Sequence, residues 1–386
     1  MTTSTAEQPT RSRRLTFITV IVAITLILFG VPWLALFPVS AQWPTAVTVL
    51  GSLVFVAAFV ALPLLMVVGH TRHADGPARA GNVLLGVAWQ LFAWSLLTLP
   101  VRLVLALAGV ENPVRDRIVA VLLAVIVTAL AIYGSIEALR LPRIKQVDVV
   151  LPRLGAAFDG FRLVMITDTH FGAIDRSGWS KRVVEAVNEL RPDATVHAGD
   201  LADGTVEQRR NQVEPLGDVV GPKFYVTGNH EYLSTGQGWA DEMQRLGWSP
   251  LRNSHEALHR EGDRLVFAGI DDVTAAGSGE PGHGQDLKAA LTGVAPDDPV
   301  VLLAHQPVQV NTSAKAGVDL QLSGHTHGGQ MWPFHYLVRL QQPVVAGLSR
   351  HGKRTQLWTS RGTGFWGPPF RIFAPSEITL LILRRA

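Results

Sequence analysis

The sequence predicts two structural classes in one chain: an N-terminal bundle of four transmembrane α-helices, then an α/β domain. Three observations carry this. Hydrophobic residues make up 47% of the chain and charged residues only 17%, and the imbalance is concentrated in the first third. Within that third, four apolar runs approach the ~20 residues that cross a bilayer as a helix. From about Val149 the pattern changes to short β-rich runs alternating with helical ones, which is the mark of an α/β domain.

Residues 1–14 are polar and end in Arg11-Ser12-Arg13-Arg14; they read as a disordered basic tail. The first apolar run, residues 15–37, is too long for the apolar core of a signal peptide, and no cleavage site separates it from the next run. The Arg13-Arg14 pair is similar to a twin-arginine export signal, but Phe17 is displaced from that pattern. The other runs cover residues 46–69, 83–101 and 118–136. Four such runs with almost no charge are transmembrane helices rather than core helices of a soluble protein. Arg102 ends the third, and the amphipathic piece after it is expected at the interface. The expected organisation is therefore a tail (1–14), a four-span region (15–138), a linker (139–149) and a catalytic domain (150–386).

Loop charges set the orientation. The tail is basic, and residues 38–45 carry no charge. The second loop holds Arg72 and Arg79 beside His70 and His73. The third is nearly balanced, with Glu111, Arg115, Asp116 and Arg117. Arg140, Arg143 and Lys145 follow the last span. The positive-inside rule places the tail, the second loop and the segment after the last span in the cytoplasm. The α/β domain is then cytoplasmic and the protein a multi-pass cell-membrane protein. No intramembrane Asp or Lys marks a transport pathway. Net charge is +3 and the pI about 9.4. The basicity flanks apolar runs, so nucleic acid is not expected as the primary partner. The chain has no cysteine, which excludes disulfides and thiolate metal sites.

In the second part, strand after strand runs into a loop bearing Asp, Asn or His. Residues 161–166 lead to Thr167-Asp168-Thr169-His170. Residues 194–198 lead to Gly199-Asp200, and residues 224–226 to Gly228-Asn229-His230-Glu231. Residues 300–303 lead to Ala304-His305, and the apolar run through Leu322 leads to Gly324-His325-Thr326-His327-Gly328-Gly329. Residues 265–268 and the tail, 356–358 and 378–383, read as further strands, and residues 179–190 as a helix. In α/β sheets the loops beyond the carboxyl ends of the strands converge on one crevice. Asp168, His170, Asp200, Asn229, His230, His305, His325 and His327 are all oxygen or imidazole donors. One cation takes about four to six ligands, so this set points to two. Asp200 is the carboxylate placed to bridge them. The mixed O/N set suits Mn, Fe or Zn.

Asp168-x-His170, Gly199-Asp200, Gly228-Asn229-His230-Glu231, His305 and Gly324-His325-x-His327 occur in the order of the calcineurin-like metallophosphoesterases, and residues 150–386 resemble that superfamily. The flanking Phe171-Gly172, Leu201 to Gly204, Gly328 to Gln330 and Pro375-Ser376-Glu377-Ile378 resemble its bacterial membrane-associated subgroup, typified by YkuE and YaeI. The resemblance implies a two-sheet β-sandwich flanked by helices. It also implies a phosphoesterase acting on monoesters or diesters through a hydroxide bridging two divalent metals. Asp168, His170 and His327 would hold the first metal. Asn229, His305 and His325 would hold the second, and Asp200 would bridge. His230 would not bind metal; it would stabilise the phosphoryl oxygens or protonate the leaving oxygen.

His197 reads as a buried core histidine, and His255, His259, His283, His335 and His351 as surface loops. Asp203 and Asp271 are candidates either for partners of ligating groups or for turn chemistry. The aromatic segments Met331 to Tyr336 and Phe365 to Phe370 follow the ligand motifs closely. They either pack together as a satellite of the core under the loops or, with Arg339, Arg350, Lys353, Arg354, Arg361 and Arg371 nearby, point to a phosphorylated lipid or a lipid-linked headgroup as substrate. The rival readings are an exported phosphoesterase acting on cell-wall polymers, disfavoured by the loop charges, and a non-catalytic membrane sensor or scaffold, disfavoured by the intact ligand set.

Overall fold

The structure, a computed structural model, describes residues 11–72 and 74–386. It separates into two compact units, Met1–Ile132 and Tyr133–Ala386. Most of the expected basic tail, residues 1–10, and His73 lie outside the described residues. The remainder of that tail is helical, because the first helix begins at Arg11.

The first unit is built from long apolar helices: α1 (Arg11–Leu36), α2 (Thr45–Thr71), α3 (Asp75–Leu96), α4 (Thr98–Leu107) and α5 (Val114–Leu139), whose end, residues 133–139, belongs to the second unit. Among the described residues, four stretches are long and apolar enough to cross a membrane: Thr19–Ala41, Thr45–Gly69, Asp75–Leu107 and Val114–Leu139. The third expected span is longer than its sequence pattern indicated, since α3 and α4 follow each other with only Leu97 between them. Phe29, Leu62 and Ala88 knit α1, α2 and α3 together, with Phe29 edge-on to Phe55 and Phe59. Charges from the middle of α4 and the first turn of α5 meet. Arg102 pairs with Asp116 at 3.0 Å, and Arg117 donates to the carbonyls of Ala41 and Gln42.

The second unit is a sandwich of two six-stranded mixed sheets. Its strands are β1 (Arg143–Leu151), β2 (Phe161–Ile166), β3 (Ala194–His197), β4 (Lys223–Tyr225), β5 (Ser249–Pro250), β6 (Ser254–Arg260), β7 (Asp263–Gly269), β8 (Val300–Leu303), β9 (Leu320–Ser323), β10 (Gly347–His351), β11 (Thr355–Thr359) and β12 (Glu377–Arg385). The orders are β1-β12-β2-β3-β4-β5 and β10-β11-β9-β8-β7-β6. Val149, Leu163, Met165, Val196 and Phe224 from one sheet meet Phe267, Val301, Leu303, Leu322 and Trp358 from the other in a fully closed core. Helices α6 (Ser177–Glu189), α7 (Val206–Val213) and α8 (Gly236–Arg245) cover the outer face of the first sheet through Trp179, Val183, Val187, Trp239 and Met243. Strand β8 buries both faces, which is why it carries no polar alternation; β9 does alternate, but its Gln321 and Ser323 are buried in hydrogen bonds to Ser313, to each other and to the Ala304 carbonyl.

Residues 143–149, expected as part of a linker, instead form most of β1. That strand runs parallel to β12, with Arg143 opposite Glu377 and Leu151 opposite Arg385. His255 and His259, expected in surface loops, lie in the edge strand β6. Strands β2, β3 and β4 are mutually parallel, as are β7, β8 and β9, so their carboxyl ends lie at common edges. That arrangement positions the site.

Candidate metal centre

All eight residues expected at the site come together at these strand tips. Beyond β2 the chain turns left-handed at Asp168 (φ 53°) and His170 (φ 43°); beyond β3 it does so at Asp200 (φ 52°), and beyond β9 at His325 (φ 69°) and His327 (φ 50°). The loops press against each other closely enough to exclude side chains between them. A Cβ on Gly324 would run into the Asp168 carboxylate, and one on Gly199 would lie 2.7 Å from His305 Nδ1.

Two triads result. Asp168, His170 and His327 present donor atoms within 4.8 Å of one another, and so do Asp200, His305 and His325. His170 Nε2 and His327 Nε2 face each other at 3.0 Å. Asp200 Oδ2 stands between the triads, 3.5 Å from His170 Nε2 and 3.2 Å from His305 Nε2. Asn229 Oδ1 joins the second triad, 2.9 Å from His325 Nδ1.

The donors fit divalent cations. Asp168 Oδ2 and His305 Nε2 are buried without a hydrogen-bond partner. Both belong to the candidate triads, where a bound cation would satisfy them. His305 Nδ1 faces the Ala198 carbonyl at 2.7 Å, and a carbonyl only accepts. That nitrogen therefore carries hydrogen, which fixes the ring with Nε2 toward the cluster. Burial works against charge on both Asp200 and His305. Their mutual attraction nonetheless holds Asp200 well below the usual carboxylate range and His305 well above the usual histidine range. Burial, aided by the Asp200 charge, raises Asp168; burial, aided by His305, lowers His325 to about 3, leaving an imidazole with a free lone pair. Oxygen and imidazole donors without sulfur suit several first-row divalent ions and select none of them.

His230 lies beside the triads, its ring centroid 4.5 Å from that of His170. Its nitrogen also falls within 4.8 Å of donor atoms of His170 and Asp200. Its Nδ1 is held by Asp203 Oδ1 at 2.7 Å, and the same oxygen lies 3.0 Å from His170 Nδ1. Burial disfavours the imidazolium, but Asp200 and Asp203 outweigh it and raise His230 to about 9. Asp203, expected as a partner of ligating groups, thus orients two histidines at once.

Sequence reasoning gave no role to Glu231. Its buried carboxylate accepts the N–H groups of Gly228, Asp200, Leu201 and Ala202, tying the β3 and β4 loops together. Burial, then Asp200, pushes it up to about 7. Arg371, expected to meet anionic headgroups, is fully buried. Its guanidinium donates to the carbonyls of His327, Gly364, Ala374 and Arg361. The aromatic segments also divide. Met331, Phe365 and Phe370 are core, whereas Tyr336 and Trp366 are exposed. His197 is buried as expected, and its Nε2 lies 3.1 Å from Thr169 Oγ1. His283 lies in a loop, as expected, but its side chain is turned inward, with Nδ1 3.1 Å from the Tyr232 hydroxyl.

Residues 161–329, which contain every one of these ligand-type side chains, match the calcineurin-like phosphoesterase family. An uncharacterized metallophosphoesterase of Campylobacter jejuni is 34% identical over 77% of this chain and 78% of its own length. The chain belongs to the calcineurin-like metallophosphoesterase family. A Danio rerio transmembrane protein with a metallophosphoesterase domain is 38% identical over 68% of the chain, which spans 62% of that protein. The Bacillus subtilis metallophosphoesterase YkuE is 29% identical over 59% of the chain and 80% of its own length. The family chemistry is metal-dependent phosphoester hydrolysis. The four apolar helices and the zebrafish relative's name point to a membrane protein.

Proposed function

We propose that the chain is a membrane-anchored, dinuclear metal-dependent phosphoesterase with its catalytic unit in the cytoplasm. The observation that carries this is the position of Asp200 Oδ2 between two triads of buried donors. Asp168, His170 and His327 would hold one cation, and Asn229, His305 and His325 the other, with Asp200 shared. Bound divalent ions offset phosphoryl charge and lower the pKa of water. The chain's own residues do the rest. Asp203 fixes the His230 ring through Nδ1, which leaves Nε2 to face substrate oxygen. An imidazolium at that point donates a hydrogen bond to the phosphoryl group or a proton to the leaving oxygen. Glu231 and Arg371 hold the ligand loops in register, so the donors need no reorganisation.

The favoured substrate class is a phosphorylated lipid or lipid-linked headgroup. Trp366, 44% exposed, lies 6.1 Å from His230 between ring centroids. Tyr336, Leu337 and Leu340 are also exposed on the segment following the β9 ligands. An apolar rim beside the acid suits a substrate with hydrocarbon attached.

The test is hydrolysis by the purified full-length chain of bis-p-nitrophenyl phosphate, p-nitrophenyl phosphate and phospholipid vesicles, with and without Mn²⁺. Turnover that appears with Mn²⁺ and vanishes with chelator is expected; none on any substrate would sink the reading. Orientation has its own test. Cysteines placed one at a time at residues 38–45 should react with an impermeant thiol reagent on intact cells, and cysteines in the catalytic unit only after lysis. The reverse pattern would favour an exported enzyme.

A further inference from the structure

The last candidate span ends at Leu139, within the second unit. Leu139 lines a cavity of about 420 Å³ together with Ile174, Arg176, Gly178, Trp179 and Arg182. None of these is a candidate metal ligand. The cavity lies at the start of α6, a helix of 13 residues with no side-chain cap. Its first N–H groups have no partner within the helix. Asp175, which also lines the cavity, accepts from Ser177 N at 2.9 Å; the amides of Gly178 and Trp179 remain. A Cβ on Gly178 would meet nothing within 4 Å, so this first turn opens on free space.

A second observation is independent of the helix. Arg176 is only 5% exposed, and its Nη1 has no partner. Nη2 donates to the Thr169 and His170 carbonyls, and the guanidinium lies 4.7 Å from the Trp179 ring and 4.5 Å from the Phe365 ring. Burial draws its pKa down to about 10. Burying a cation is costly; Asp203 offsets part of that cost, and an anion in the cavity would offset more. Arg182 adds an exposed positive charge one turn along, while Leu139, Ile174 and Trp179 supply an apolar wall. Trp179 Nε1 donates to the Arg140 carbonyl at 3.0 Å, fixing that wall where the apolar run gives way to basic residues.

We propose that this cavity binds the phosphate-bearing headgroup of an anionic phospholipid. Phosphate sits readily on helix N-terminal amides, and each nearby basic residue adds ~1 kcal/mol at an anionic surface. Leu139 and Ile174 meet the start of the acyl chains. The proposal rests on α5 being a span and not on the hydrolytic reading. Through Arg176, an occupied pocket bears on the two carbonyls of the loop that carries Asp168 and His170.

The experiment is thermal melting of the full-length protein in mild detergent. It is titrated with dihexanoyl phosphatidylglycerol, dihexanoyl phosphatidylcholine or inorganic phosphate. Phosphatidylglycerol should raise Tm, at concentrations at least about tenfold below those needed for the other two. Gly178→Glu and Arg182→Glu should each raise its half-saturating concentration by about tenfold or more. Gly178→Glu also places an acid in the first turn, which favours the helix, so loss of the shift there is not loss of folding. An undiminished shift in both variants would put the anion elsewhere, the metal centre included, and overturn the proposal. Equal potency of inorganic phosphate or of phosphatidylcholine would overturn it as well.

Discussion

Leucine behaves in opposite ways in the two units. On α2, Leu50 and Leu53 are 64% and 60% exposed, while in the sandwich Leu163, Leu303 and Leu322 are completely buried. The same side chain is written for two solvents. In the first unit the helical backbone satisfies itself, and apolar atoms face outward toward lipid. In the second, apolar atoms close a core around two sheets, and the candidate metal donors converge at the strand tips. The difference teaches that the chemistry is confined to one unit and the solubility in lipid to the other.

Four measurements break or sharpen that division. The largest effect is expected from Asp200→Asn, which should abolish hydrolysis and reduce bound metal, leaving membrane insertion intact. Full activity with normal metal content would end the two-cation reading. His230→Ala should lower turnover by ~10²–10⁴-fold with metal content near normal, and by less for substrates with good leaving groups. Metal loss in that variant would make His230 a ligand. The division itself is probed by one substitution made twice. Leu322→Ala should cost the catalytic unit about 2–5 kcal/mol in stability, and Leu53→Ala in detergent should stay within about 0.5 kcal/mol. Equal losses would mean that α2 packs against protein there. The smallest effect is expected from Trp366→Ser, about tenfold slower on a lipid phosphoester in vesicles and within about twofold on a small soluble one. Equal loss on both would make Trp366 part of the core.

The candidate donors were legible because each sits at the end of a short apolar run, so a local pattern carries both strand and donor. The central strands β2, β8 and β9 were legible for the same reason. Strand β1 was not. Its first residues are Arg143-Ile144-Lys145-Gln146, mostly exposed, and only register against β12 makes them a strand. Arg371 looked like a surface cation because a charge is rarely buried, even between apolar neighbours such as Phe370 and Ile372. What buries it is a ring of backbone carbonyls from four loop residues, contacts that exist only in three dimensions. Phe365 and Trp366 are adjacent in sequence yet core and exposed respectively, since an irregular segment follows no period from which facing can be read.

The left-handed backbone at Asp168, His170, Asp200, His325 and His327 bears on how such a site decays under drift. Asparagine and glycine occupy that region at little cost, whereas a β-branched residue strains there by about 1–3 kcal/mol. A descendant released from selection for metal therefore loses its donors first to Asn or Gly, keeping the loops folded. Val or Ile at these positions would mark a chain whose strand tips have been rebuilt, so the type of replacement dates the loss of the site relative to the loss of its shape.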